Sequence, residues 1–371
     1  MNITIDSVTL YPFSIPLKMP FRISAGEIHQ KDGLILEMKS AGLTGWGEVS
    51  VDKTPFYAHE TVGSAIDLLT NSLVPLVIGK SFTHPDQVTE ILDHYRGNNF
   101  AKAAIDAAVW DIYGQMLGEP CWKLLGGTRE TVEVGPSIGI KNDHALTVDA
   151  VAKQLADGMK RIKIKVCPGL DFKFIEAVRR EFPDISLMVD ANNAYQFSDW
   201  QEIAQWDRFK LLMIEQPLNE HDVYFHSLLR QKIKNPLCLD ESIHTMHDAQ
   251  CSAALKAADI INLKVCRVGG LSNTRRIHDF CSQNGIVNWI GSRVGSGVAE
   301  AARLAAATLP NCSLPSDCVI SAMYMSDDIL TEPFDLKGCM VKAKTSPGLG
   351  INVNRKRLAK YASTKLELAI K

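Results

Sequence analysis

The 371-residue chain has no long uninterrupted apolar run, so no segment offers itself as a helix across a bilayer. It has no charge excess either. Forty basic against 42 acidic residues leave a formal net charge of −2, which gives no electrostatic case for nucleic acid or an anionic membrane. A low-complexity linker is missing, and so are the charged start and apolar core of a signal peptide, because MNITIDSVTLYPFSIPL alternates like a strand. No CxxC pair occurs. The nine cysteines are odd in number, dispersed and often set in apolar strands such as NPLCLD, which fits reduced thiols in a cytoplasmic protein. What is present is the composition of an ordinary enzyme, 46% hydrophobic and 22% charged, long enough for a barrel and a smaller domain.

A rhythm of charged residues carries the chemistry. Asp190 closes ISLMVD, Glu215 closes KLLMIE, Asp240 closes NPLCLD and Lys264 closes DIINLK, at intervals of 25, 25 and 24 residues. Each run is strand-like and precedes a polar turn and a helix-length segment, the unit of a parallel α/β barrel whose strand ends converge on one face. Upstream, KRIKIKV places Lys163 and Lys165 on one side of a strand, and Lys165 precedes Asp190 by 25 residues. Two ammonium groups that close are expected to depress the pKa of at least one partner, which would make a neutral lysine base near pH 7. A lone Asp at a strand end is usually a helix cap, and paired lysines are usually a solvated edge; the matched spacing favours function.

Three carboxylates without histidine or cysteine beside them form a hard oxygen site suited to Mg²⁺, with Mn²⁺ as an alternative. Facing two lysines, such an ion suits removal of a proton next to a carboxylate. His244 and His247 have no soft third ligand and are expected to be polar residues at a helix start. GSGVAE at 295–300 is too incomplete for a dinucleotide fingerprint, although N–H groups at such a helix start can receive a substrate carboxylate.

The pattern predicts an α/β protein, a modified TIM barrel of (β/α)7β type with an α+β capping domain. Strands over 1–50 and helices over 58–118, including the amphipathic AKAAIDAAVWDIYGQML, make the cap, with LLGGT at 124–128 as the hand-over. Barrel strands are expected near 132–140, 161–166, 185–190, 210–215, 236–240, 258–264 and 286–291. The expected boundaries are 1–128 for the cap, 129–325 for the barrel, and 326–371 for a segment returning to the cap.

At KIKVCPGLD, VDANNAY, IEQPL, LDES and NLKVCRVGG the chain resembles the enolase superfamily, in particular its muconate-lactonizing subgroup and, within it, the o-succinylbenzoate synthase and N-succinylamino acid racemase family. PLKMPF, GWGEV, TPFYAHET and KLLGGTRETVEVGPSIGI extend the likeness over nearly the whole chain. The resemblance implies Asp190, Glu215 and Asp240 as Mg²⁺ ligands, Lys165 and Lys264 as the acid/base pair, and Lys163 as the residue that tunes Lys165. It also implies substrate contacts from Ser137, from Asn192 beside the first ligand, and from Phe21, Ile23 and Tyr57 in the cap. Arg267 matches an arginine of members that racemize as well as dehydrate. One stretch departs. Where the family reads close to GGMLETGI, this chain has GSRVGSGVAE, which removes a glutamate and brings Arg293 to the wall expected to meet the substrate's distal group, unless Arg293 is a surface or interface ion pair.

The implied activity is o-succinylbenzoate synthesis, N-acylamino acid racemization, or both, with dipeptide epimerization and muconate cycloisomerization as alternatives inside the superfamily. As a synthase the chain would serve menaquinone formation. A non-catalytic barrel that captures small anions is the alternative outside it. The implied partners are a small carboxylate substrate and further copies of the chain, with neither nucleic acid nor membrane.

Overall fold

A computed structural model describes residues 2–23, 26–317 and 320–369, without the side chains of Arg22 and Ile23. The cap is built on a long antiparallel hairpin, Ser7–Ile23 with Gly26–Ser40, extended on one side by Leu43–Val49 and on the other by the C-terminal strand Leu366–Ala369. Alternation sends Val8, Leu10, Leu34, Leu36 and Met38 to one face, where they bury against the helix Asn99–Leu117. GWGEV has a packing reason for its glycines. A Cβ on Gly47 would stand 1.9 Å from the Ala104 carbonyl oxygen and one on Gly45 2.1 Å from that of Ala108, so only glycine lets the helix lie this close.

The helix itself differs from the amphipathic expectation. It is buried nearly all round from Phe100 to Ile112, because its other side meets the barrel helix Leu271–Gln283. Trp110 Nε1 donates to Ser272 Oγ at 2.9 Å, and the backbone N–H of Leu271 donates to Asp106 Oδ2 at 2.5 Å. Before it come the short helices Val62–Leu68 and Val74–Val77, joined by a π turn, and Pro85–Leu92.

Seven parallel strands follow in simple succession: Ser137–Ile138, Arg161–Lys165, Ser186–Asp190, Ile214–Glu215, Leu237–Leu239, Ile260–Leu263 and Val287–Ile290. The expected first strand over 132–140 splits. Thr131–Glu133 joins an antiparallel sheet with Met340–Lys342 and Leu336–Lys337, and only Ser137–Ile138 remains in the barrel. The eighth position carries no continuous ladder among the described residues. Single parallel bridges, Asn288 with Cys312 and Val134 with Ser316, close the ring instead, and Pro315 between them has no N–H to give a ladder. Thr245 caps the helix Met246–Leu255 through a capping box with Asp248, so His244 and His247 do lie at a helix start. No described helix is long and apolar enough to cross a membrane.

Candidate active site

Register brings the charged residues together. Lys165 is the lateral partner of Asp190, and Asp190 of Glu215, so the ends of the second, third and fourth barrel strands form one row. Glu215 pairs with Cys238, which puts Asp240 two residues further on the same face, and Lys264 follows directly after the sixth strand. Lys165 Nζ donates to Asp190 Oδ2 at 2.5 Å and to Asn192 Oδ1 at 2.6 Å. Lys264 Nζ donates to Asp240 Oδ2 at 2.6 Å. Glu215 stands between, accepting from Asn262 Nδ2 at 2.7 Å. Past the strand ends, Asn192, Asn193 and Gln216 take φ of 43°, 66° and 37°, left-handed geometry that is costly outside glycine and here turns the chain at the rim.

Lys163 is placed differently from the sequence-based expectation. It shares its side with Lys165, but it is buried among carboxylates, in contact with Asp317, 3.1 Å from Glu215 and 3.3 Å from Asp190, and lies 5.0 Å over the Trp289 ring. Burial works against its charge, yet Asp317, Glu215 and Asp190 outweigh burial and hold its pKa well above the usual lysine value. It is a buried counter-charge to three carboxylates. Strand parity is visible in the sequence; the approach of Asp317, 154 residues downstream, is not.

The carboxylates separate electrostatically. Burial raises Asp190, but Lys165 and Lys163 bring it below its ordinary pKa; burial likewise raises Asp240, and Arg267 and Lys264 more than reverse that. Glu215 is pushed up to about 8, first by burial and then by the Asp190 carboxylate, with Lys163 only partly offsetting them. Among the described residues no three His, Cys, Asp or Glu side chains enclose a common point for a metal ion, because Asp190 and Asp240 are turned to ammonium and guanidinium groups. The donor set still fits a hard divalent cation: three buried carboxylates on adjacent strand ends, all oxygen, with Glu215 pushed up despite the Lys163 ammonium 3.1 Å away.

The cap reaches into this row. Tyr57 accepts hydrogen bonds from Lys264 Nζ and from Arg267 Nη2, both at 2.8 Å, and donates to Glu241 Oε1 at 3.0 Å. Asn192 Nδ2 donates to the same Glu241 oxygen at 2.9 Å, so Glu241 ties the two ends of the row together. Burial and then Asp240 raise the pKa of Glu241. Phe21, edge-on to Tyr324 at 5.7 Å, lines a cavity of about 100 Å³ together with Tyr57, Ser137, Lys165, Asn192, Lys264 and Arg293. Arg267 contacts Asp240 beneath it. The side chain of Ile23 lies outside the described residues. A second space of about 450 Å³ adjoins the cavity and shares Phe21, Ser137 and Tyr324 with it.

Arg293 combines the two alternatives: with its side chain 9% exposed, it lines the cavity and also makes an ion pair across the cap–barrel interface. Its Nη2 is in contact with Asp52 of the cap, and its guanidinium lies 4.6 Å from the Tyr57 ring centre and 5.5 Å from that of Phe100. The expectation that N–H groups at the 295–300 helix start receive a substrate carboxylate does not hold. Glu48 Oε2 accepts from Ser296 N at 2.9 Å, and Asp328 Oδ2 from Gly297 N at 3.1 Å. A Cβ on Gly295 would stand 3.0 Å from Glu48 Oε1, so the cap glutamate fills the space next to the position where the family pattern has its own.

Sequence reasoning overlooked Asn262, Glu241 and Asp317. Asn262 was open to discovery, since it lies two residues before Lys264 and the parity that joins Lys163 to Lys165 joins these as well. Glu241 lies inside LDES, masked by the stronger signal of Asp240. Asp317 falls in the ring-closing segment, where no strand pattern marks its register.

Comparison with known proteins adds an independent line. Residues 147–357 match a family described as enolase C-terminal domain-like, and residues 5–126 match the mandelate racemase / muconate lactonizing enzyme N-terminal domain. The chain is similar to an o-succinylbenzoate synthase of Geobacillus kaustophilus, 40% identical over 362 residues covering 97% of this chain and 96% of that one. It is similar also to an N-succinylamino acid racemase of Thermus thermophilus, 35% identical over 94% of this chain and 95% of that one. The crystal structure of an enolase superfamily member from Listeria innocua superposes with a TM-score of 0.96 over 99% of both chains at 34% identity.

Proposed function

Because the chain belongs to the enolase superfamily, in its mandelate racemase / muconate lactonizing enzyme family, we propose that it is an o-succinylbenzoate synthase, an N-succinylamino acid racemase, or both, working by removal of the proton α to a substrate carboxylate. It is an enzyme of the lyase/isomerase class, and its family implies a divalent metal. We take the ion to be Mg²⁺, replaceable by Mn²⁺, held by Asp190, Glu215 and Asp240. When bound it would stabilise the negative charge of the enediolate.

The observation that carries this reading is the order of groups across the strands: an amine, three carboxylates and a second amine, Lys165 and Lys264 standing at the two ends. A binding barrel needs one cation for an anion; two amines on opposite flanks are what proton removal and return require. Lys165 is oriented by Asp190 and Asn192, Lys264 by Asp240 and Tyr57. In racemization one lysine takes the α-proton and the other returns a proton to the opposite face. In synthesis the same abstraction is completed by loss of a hydroxyl as water. Incubation of the Mg²⁺-loaded enzyme with the cyclohexadiene carboxylate and with an N-succinyl-L-amino acid, followed by diene absorbance and optical rotation, tests the assignment. Change in neither signal, with Mg²⁺ or with Mn²⁺, would sink it.

A further inference from the structure

The cavity has a polar wall that proton transfer leaves unused. Lys31, 1% exposed, lines it and donates to the Val51 carbonyl at 3.1 Å, its one hydrogen bond among the described residues. Arg293 lines the same wall with a side chain 9% exposed. Its Nη2 is engaged by Asp52, while Nη1 is buried with no hydrogen-bond partner among the described residues. Glu48, the nearby second carboxylate, is taken up by Ser50 Oγ at 2.8 Å and by Ser296 Oγ at 2.6 Å. Arg293 is paired with Asp52, Lys31 feels the charges of Glu48 and then Asp52 without an ion-pair contact among the described residues, and both cations keep donor capacity in reserve.

Such an arrangement is costly in an empty cavity. A buried guanidinium N–H left without an acceptor loses the free energy of its hydration, and burial lowers the pKa of the Lys31 ammonium. Ile28, Phe56 and Val294 line the cavity beside them, and Asp52, which lines it too, holds Arg293 Nη2 and leaves Nη1 for an anion. An arriving carboxylate would supply the acceptor that Arg293 Nη1 lacks, Arg293 giving direction and Lys31 a point charge.

We propose that Arg293 and Lys31 are specificity-determining residues that recognise a second anionic group on the substrate, remote from the carboxylate beside the reacting carbon. This rests on the α-proton reaction proposed above and assigns the wall that selects among its substrates. The adjoining 450 Å³ space includes neither Arg293 nor Lys31 in its lining, so a third substituent has room elsewhere.

The test is calorimetric titration of the Mg²⁺-loaded enzyme with N-succinylglycine and N-butyrylglycine, which match in chain length and differ in the distal charge. Wild-type protein should bind the succinyl ligand at least about tenfold more tightly, and Arg293→Met and Lys31→Met should each erase most of that preference. The double variant Arg293→Met/Asp52→Asn removes both halves of the ion pair, so neither is left buried without the other; its loss of preference counts for the subsite when N-butyrylglycine still binds as in wild type, which shows that the cap still closes the site. No preference in wild type, or a preference that survives in all three variants, overturns the subsite. Heavy-water exchange separates the two proposals. Selective binding without α-proton exchange would reject the reaction and keep the subsite, whereas equal binding and exchange with both ligands would do the reverse.

Discussion

Tyr57 belongs to the cap, yet its hydroxyl accepts a hydrogen bond from Lys264 Nζ, at the end of the sixth barrel strand, at 2.8 Å. Arg293 stacks on the ring of Tyr57 and binds Asp52, so the loop that carries the tyrosine is clamped to the barrel next to the lysine it orients. The two domains thus meet at one buried amine.

Tyr57→Phe should for that reason act on one face of the reaction. Lys264, Arg267 and Glu241 each lose a partner, a change worth about 1–3 kcal/mol at a buried site, or roughly 5- to 150-fold in rate. Exchange of the α-proton on the Lys264 side should fall by that factor, with exchange on the Lys165 side nearly unchanged. Equal loss on both faces would mean that Tyr57 serves the cavity as a whole.

Lys163 should behave as a structural cation. Removing one partner of a buried ion pair typically costs about 3–5 kcal/mol, and Lys163 faces three carboxylates. Lys163→Met should lower the denaturation midpoint in urea markedly. A variant of native stability with an altered pH–rate profile would instead support the tuning role that the sequence suggests.

Glu215 sets a pH dependence for the metal-free protein. Its folded pKa, about 8, lies above the ordinary value of 4.5, so the folded state holds the proton more tightly. The stability it contributes is complete below the ordinary value and is lost as pH rises through the window up to about 8. Thermal melts of metal-free protein should decline across that window, Mg²⁺ should restore the upper end, and Glu215→Gln should flatten the slope. A rising melt over the same window would contradict the assignment.

Gly47→Ala should separate the cap sheet from its helix, because the added methyl would overlap the Ala104 carbonyl. Overpacking of this kind costs about 1–3 kcal/mol. Loss of stability should accompany weaker substrate binding, since the same sheet continues into the strand that carries Phe21. Unchanged melting would show that the helix can retreat without penalty.

Much of this arrangement is legible in the sequence because barrel geometry converts spacing into position. Strand parity and a repeat of 25 residues suffice to bring Lys165, Asp190, Glu215, Asp240 and Lys264 to one rim, since neighbouring parallel strands hold fixed register. Contacts made across the barrel or from the cap follow no such rule. Asp317 reaches Lys163 from a segment with single bridges only, Glu48 reaches the helix start of Ser296 from the cap sheet, and Arg293 meets Asp52 through the closing of one domain on another. Each depends on tertiary approach between residues more than 150 positions apart.

Proton exchange in heavy water by the two single lysine variants bears most directly on the central claim that Lys165 and Lys264 work on opposite faces of one substrate. Lys165→Ala and Lys264→Ala, supplied in turn with each enantiomer of an N-succinyl amino acid, should both fail to racemize, and each should exchange the α-proton of one enantiomer only, the two variants choosing opposite forms. Exchange of both enantiomers by either variant, or of neither by the wild-type enzyme, would contradict it.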